Sequence, residues 1–276
     1  MRKTMSEEER LSRLVEAFKA DSGAYADMGT PSDTDGKRQL LRALMNVRPP
    51  RRMDEAVLRL QDEYLAERLQ ARGVVTLADI PTLKEQGSRA EGAEVLSLWQ
   101  GDITRLQADA IVNAANSQML GCFVPLHACI DNCIHTYAGV QLRAECARQM
   151  EALRAKYGPD YEQPTAVPLL TKGYSLPAKH VIHIVGPIVM GPLTPVHERE
   201  LAACYRNTLD LCRKEGLRSV AFCCISTGVF RFPAPRASEI AVKTVQSWLR
   251  ENPGRMDRVI FNVFTDEDRR LYERQF

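Results

Sequence analysis

From residue 94 to the C-terminus, short apolar runs alternate with longer stretches of helical periodicity, and that rhythm leaves few folds open. "EVLSLWQGDI", "DAIVNAAN", "TAVPLLTKG", "HVIHIVGP", "RSVAFCCI" and "DRVIFNVF" have the length of strands, and several are apolar throughout. A strand that is apolar on both faces has to be covered on both. The intervening segments supply the cover. "CIDNCIHTYAGVQLRAECARQMEALRAKYG" has the pattern of one long helix, and "VHERELAACYRNTLDLCRKEG", "PRASEIAVKTVQSWLREN" and "DEDRRLYERQF" read as three more. The alternation predicts an α/β fold, a central sheet flanked by helices on both faces. In such sheets ligands bind beyond the carboxyl ends of the strands, so "GDIT", "NAANSQMLGCF" and "STGVFRFP" are where chemistry is expected.

Upstream, residues 1 to about 75 read as wholly helical. "SEEERLSRLVEAFKA" opens on a serine cap and acidic residues, with Leu11, Leu14, Val15 and Phe18 on one face. "KRQLLRALMNV" ends before Pro49 and Pro50, and "MDEAVLRLQDEYLAERLQARG" is closed by Gly73. The polar stretch "KEQGSRAEGAE" marks a boundary near residue 90. The expected organisation is a helical extension over 1–90 packed on an α/β unit over 91–276.

A formal net charge of +2 points to neither a nucleic-acid partner nor a membrane surface. The start turns acidic after "MRKTM" and lacks the apolar core of a signal peptide, which places the protein in the cytoplasm. In a cytosolic chain the 8 cysteines serve metal binding or burial rather than disulfides. "GCFVPLHACIDNCIH", residues 121–135, concentrates Cys122, Cys129 and Cys133 with His127 and His135. Soft thiolates argue against magnesium or calcium. Spacing alone leaves Cys133 open as a fourth ligand, and buried small cysteines are the plainer alternative. No G-x-G-x-x-G follows an early strand, which disfavours a dinucleotide-binding dehydrogenase.

"GDITRLQADAIVNAAN", then "HVIHIVGP", "STGVFRFP" and "VIFNVFTDED" in that order, resemble the segments of a macrodomain, the ADP-ribose-binding α/β fold with a central mixed sheet. "GCFVPLHAC" resembles the insertion of a zinc-containing subgroup of macrodomain hydrolases that remove ADP-ribose from proteins and that also carry an N-terminal helical extension. The resemblance implies Zn2+ on Cys122, His127 and Cys129. It implies that Asp102 accepts a hydrogen bond from the adenine amino group and that Ile103 lines the adenine pocket with Phe264 nearby. Asp102 as a plain helix cap is the competing role. By the same resemblance Asn116 contacts the distal ribose. Ser226, Thr227, Gly228 and Val229 form the diphosphate loop, Phe230 covers the distal ribose, and Asp131 helps to activate water. Asn113 shares the turn with Asn116. The implied substrate is a mono-ADP-ribosylated protein, for example a lipoyl-carrier protein modified by a sirtuin-like transferase. A module that reads ADP-ribose without cleaving it is the other function the fold supports.

Overall fold

The computed structural model describes residues 5–276; the first four residues of the expected extension lie outside the described residues. Three helices open the chain: α1 (Glu7–Ser22), α2 (Thr34–Val47) and α3 (Glu55–Arg72). Each starts on an oxygen-bearing cap, Ser6, Asp33 and Asp54, whose side chain accepts a backbone N–H of the first turn. Leu11, Leu14, Val15, Phe18, Leu41, Leu44, Met45, Tyr64 and Leu65 form a core of their own, which Val140 of the α/β unit helps to close.

The strands are β1 (Val75–Thr76), β2 (Leu96–Gln100), β3 (Leu106–Gln107), β4 (Ala110–Ala115), β5 (Leu169–Lys172), β6 (His180–Val185), β7 (Ser219–Phe222) and β8 (Arg258–Val263). β1 and β3 form a small parallel ladder that ties the end of α3 to the α/β unit. The main sheet runs β2-β8-β7-β4-β6-β5, parallel except for the antiparallel β5–β6 pair. All four residues of β7 and nearly all of β4, β6 and β8 are buried, as runs apolar on both faces require. The flanking helices are α4 (Ile130–Ala138), α5 (Val140–Tyr157), α6 (Pro195–Glu215), α7 (Ala234–Glu251) and α8 (Asp266–Glu273).

One expectation is corrected here. The segment 129–158, which the sequence presents as a single helix, is two helices broken at Gly139 (φ +92°). The cause lies in the extension. Gln61 of α3 accepts the Val140 N–H at 3.1 Å, an N–H that a continuous helix would direct to the preceding turn. A Cβ on residue 139 would sit 2.6 Å from the Gln61 amide nitrogen, so only glycine lets α3 come this close.

Candidate functional site

β2, β8, β7 and β4 are neighbours and parallel, so their carboxyl ends share one edge of the sheet. The loops leaving those ends carry most of the residues singled out from the sequence; Asn113 lies within β4, and Asp131, Cys133 and His135 lie on α4. "GDIT" follows β2, Phe264 follows β8, the 226–230 loop follows β7, and the 116–129 loop joins β4 to α4. Five of the large exposed apolar side chains of the described residues, Phe123, Val124, Leu126, Val229 and Phe264, lie in these loops.

In the loop after β4 the structure brings Cys122, His127 and Cys129 together. Their ligating atoms lie within 4.8 Å of one another, with Cys122 Sγ 3.5 Å from His127 Nδ1. Cys129 is also the N-cap of α4, its sulfur accepting the Asn132 N–H at 3.4 Å. Burial pushes the Cys129 thiol up to about 12, against the pull of that N–H. Cys133 is not part of the trio; its sulfur accepts from Arg42 of α2 at 3.7 Å. Three donor side chains converge here rather than four.

Asp131, on the first turn of α4, is buried, and its Oδ1 accepts from Asn113 Nδ2 at 2.7 Å. Burial lifts its carboxyl to about 6, opposed by the Asn113 N–H and by the charge of Arg143. No hydrogen bond among the described residues engages its Oδ2. Asn113 is thus an interior residue, not a turn residue beside Asn116. Its amide also lies 3.0 Å from His183 Nδ1, and His183 Nε2 lies 3.0 Å from Thr171 Oγ1. Since the amide nitrogen only donates, the His183 hydrogen sits on Nε2 and points to Thr171. His135, Cys146 and His183 also cluster, but with both His183 nitrogens satisfied they form a buried polar core. Burial holds His183 near 3 and His135 well below the usual imidazole range, so both rings are neutral.

Asp102 caps the short helical turn after β2, accepting from the Thr104 N–H at 2.9 Å, and pairs with Arg72 of α3 at 2.9 Å. Ile103 is buried behind it. Asn116 is half-buried; its Oδ1 accepts the Gln118 N–H and its Nδ2 donates to the Gly121 carbonyl at 3.2 Å. In the loop after β7, Ser226 takes a left-handed φ of +65°. Thr227 and Arg231 turn their N–H groups back on Cys224 and Gly228, and Phe230 accepts from the Val189 N–H. The N–H groups of Gly228, Val229 and Phe230 meet no acceptor among the described residues, which gives three successive donors at the strand end. Phe230 packs against the small apolar cluster of Ala115, Met119, Met150, Leu169 and Val185, whereas Phe264 is 76% exposed. Sequence reasoning missed Arg42, Asn46, Arg72 and Arg143, which reach the site from other elements. The one local signal was Asn46, a polar residue among the apolar positions of α2.

The family model described as "Macro domain" matches residues 112–241. A "Protein-ADP-ribose hydrolase" of Treponema medium is 47% identical over 270 residues, covering 98% of this chain and 99% of that protein. One of the same name from Staphylococcus aureus (strain MRSA252) is 41% identical over 272 residues, covering 98% and 96%. Among solved structures, the Trypanosoma brucei macrodomain in complex with ADP-ribose superposes with a TM-score of 0.63 at 31% identity, covering 84% of this chain and 94% of that one.

Proposed function

Because the chain belongs to the macrodomain family and, within it, to the group of the protein-ADP-ribose hydrolases, we propose that it is a zinc-dependent enzyme freeing ADP-ribose from mono-ADP-ribosylated proteins at ester links to aspartate or glutamate. The observation that carries this reading is the convergence of Cys122, His127 and Cys129 in the loop that runs from Asn116 to Asp131. The donor set fits zinc. With Zn–S near 2.3 Å and Zn–N near 2.0 Å, tetrahedral ligands stand about 3.5 Å apart, and Cys122 Sγ and His127 Nδ1 are 3.5 Å apart. Both sulfurs are half-buried, and thiolate ligands suit a soft cation such as zinc. Three ligands match the open, catalytic type of zinc site rather than the closed structural type. When bound, zinc supplies a Lewis acid next to the distal ribose.

The chain's own residues do the rest. The unpaired N–H groups of Gly228, Val229 and Phe230 hold the diphosphate without a lysine. Asp102 accepts from the adenine amino group. Asn116, with both ends of its amide near the 116–121 turn, orients the ribose hydroxyls. Asn113 fixes Asp131 through Oδ1, so that Oδ2 aligns the attacking water and takes its proton. The test is single-turnover release of ADP-ribose from an ester-linked mono-ADP-ribosylated protein, with zinc content and folding measured alongside. Cys122→Ala and His127→Ala are expected to lose zinc and about a hundredfold in rate, the scale of losing one group that stabilises transition-state charge. A folded, zinc-free protein that keeps its full rate sinks the zinc role. ADP-ribose binding without any release would make the chain a reader of the mark.

A further inference from the structure

We propose that the N-terminal extension is part of the active site, with Arg42 and Asn46 of α2 as positioning residues that hold the 121–129 loop in the conformation where Cys122, His127 and Cys129 converge. This rests on the reading of those three residues as metal ligands. The loop has little backbone pairing of its own: within 122–129 the one backbone hydrogen bond is His127 N–H to the Val124 carbonyl at 3.3 Å. Leu126 sits at φ +58°, a left-handed conformation that a branched side chain holds only where its surroundings dictate it. What dictates it comes from α2. Asn46 Oδ1 accepts the Leu126 N–H at 3.0 Å, while its Nδ2 donates to Thr136 Oγ1 at 2.9 Å. One residue further on, Arg42 Nη2 donates to the His127 carbonyl at 2.8 Å and to Asn132 Oδ1 at 3.0 Å. Asn132 passes the constraint back, its Nδ2 donating to the Val124 carbonyl at 2.9 Å.

Arg42 and Asn46 stand one helical turn apart on α2, so one face of that helix grips both sides of Leu126. The grip is locked from the far side. Arg143 of α5 donates to the carbonyls of Asn46 and Arg48 at 2.8 and 2.6 Å, and to that of Leu120 at 2.6 Å. The end of α2 and the start of the loop therefore share one buried guanidinium. Groups that orient metal ligands without touching the metal set affinity through ligand geometry, and their loss costs about 10–100-fold.

The full chain carrying Asn46→Ala or Arg42→Ala is compared with wild type, with Arg59→Ala as the control. Arg59 is exposed on α3 and, among the described residues, pairs along its own helix with Glu55. Three quantities are read: zinc affinity by chelator competition, the thiolate charge-transfer band after cobalt substitution, and hydrogen exchange at the Leu126 amide. Both alanine variants are expected to lose zinc affinity about 10–100-fold, to weaken the cobalt band, and to lose Leu126 protection, with the affinity for free ADP-ribose retained. Asn46→Asp keeps the acceptor for Leu126 and is expected to keep the exchange protection, which guards against an alanine variant that does not fold. Folded variants with wild-type zinc affinity and wild-type Leu126 exchange overturn the inference. A wild-type chain that took up no zinc would instead sink the function proposed above, and the Leu126 exchange would still decide whether α2 positions the loop.

Discussion

Gly186, just past β6, lies against the loop that follows β7, and Gly186→Ala should damage both stability and ligand binding. An added Cβ would stand 2.0 Å from Ser226 Oγ, 2.8 Å from Ile225 Cγ2 and 3.3 Å from Ser226 Cβ. Ser226 has no easy escape: its side chain is buried and its backbone already sits at φ +65°. The 225–230 segment has to shift as a unit. Overpacking of this kind costs about 1–3 kcal/mol. Moving the Gly228–Phe230 donors off a bound anion should weaken ADP-ribose binding about tenfold, the worth of roughly one charge-assisted hydrogen bond. Ser226→Gly removes two of the three close contacts and suits the left-handed backbone, so adding it to Gly186→Ala should recover about 1 kcal/mol or more of the loss. Urea unfolding of the four members of this cycle, with calorimetric titration of ADP-ribose, measures both effects. An unchanged midpoint and affinity for Gly186→Ala, or additive losses in the double variant, would refute the close approach as the cause.

His183 is held near 3, below the ordinary 6.5 of an imidazole, by burial. Below pH 6.5 the unfolded chain takes a proton that the folded chain refuses, so stability is whole above 6.5 and falls as pH drops toward 3, by at most about 1.4 kcal/mol per pH unit. His183→Gln should flatten that part of the stability curve; parallel curves from pH 7 to 5 would contradict the assignment. Leu14, fully buried in the extension core, should cost about 2–5 kcal/mol as Leu14→Ala. A thermal midpoint within a degree of wild type would show that this core contributes little.

The α/β order was legible because the middles of β7 and β8, Val220–Phe222 and Val259–Phe261, are apolar on both faces and alternate with helical segments. The break at Gly139 was not, since the helical pattern runs across it and its cause, Gln61, lies far upstream in sequence. The cysteine–histidine trio was visible as a crowded stretch, but spacing could not exclude Cys133; only the fold turns that sulfur toward Arg42. Asn113 looked like a companion to Asn116 because strand and turn are continuous there. The alternation of side chains along β4 sends it inward to Asp131 and His183 instead. Likewise Asp102 caps its turn, as local chemistry suggests, and also binds Arg72, which no local pattern announces. What stayed hidden was long-range polar pairing, because hydrogen-bond partners tens of residues apart leave no periodic trace.

Cys129 both belongs to the trio and caps α4 through the Asn132 N–H. A change at this sulfur therefore also removes the cap from the first turn, the turn that carries Asp131. Damage at this single atom would touch the cluster and the cap of α4 together.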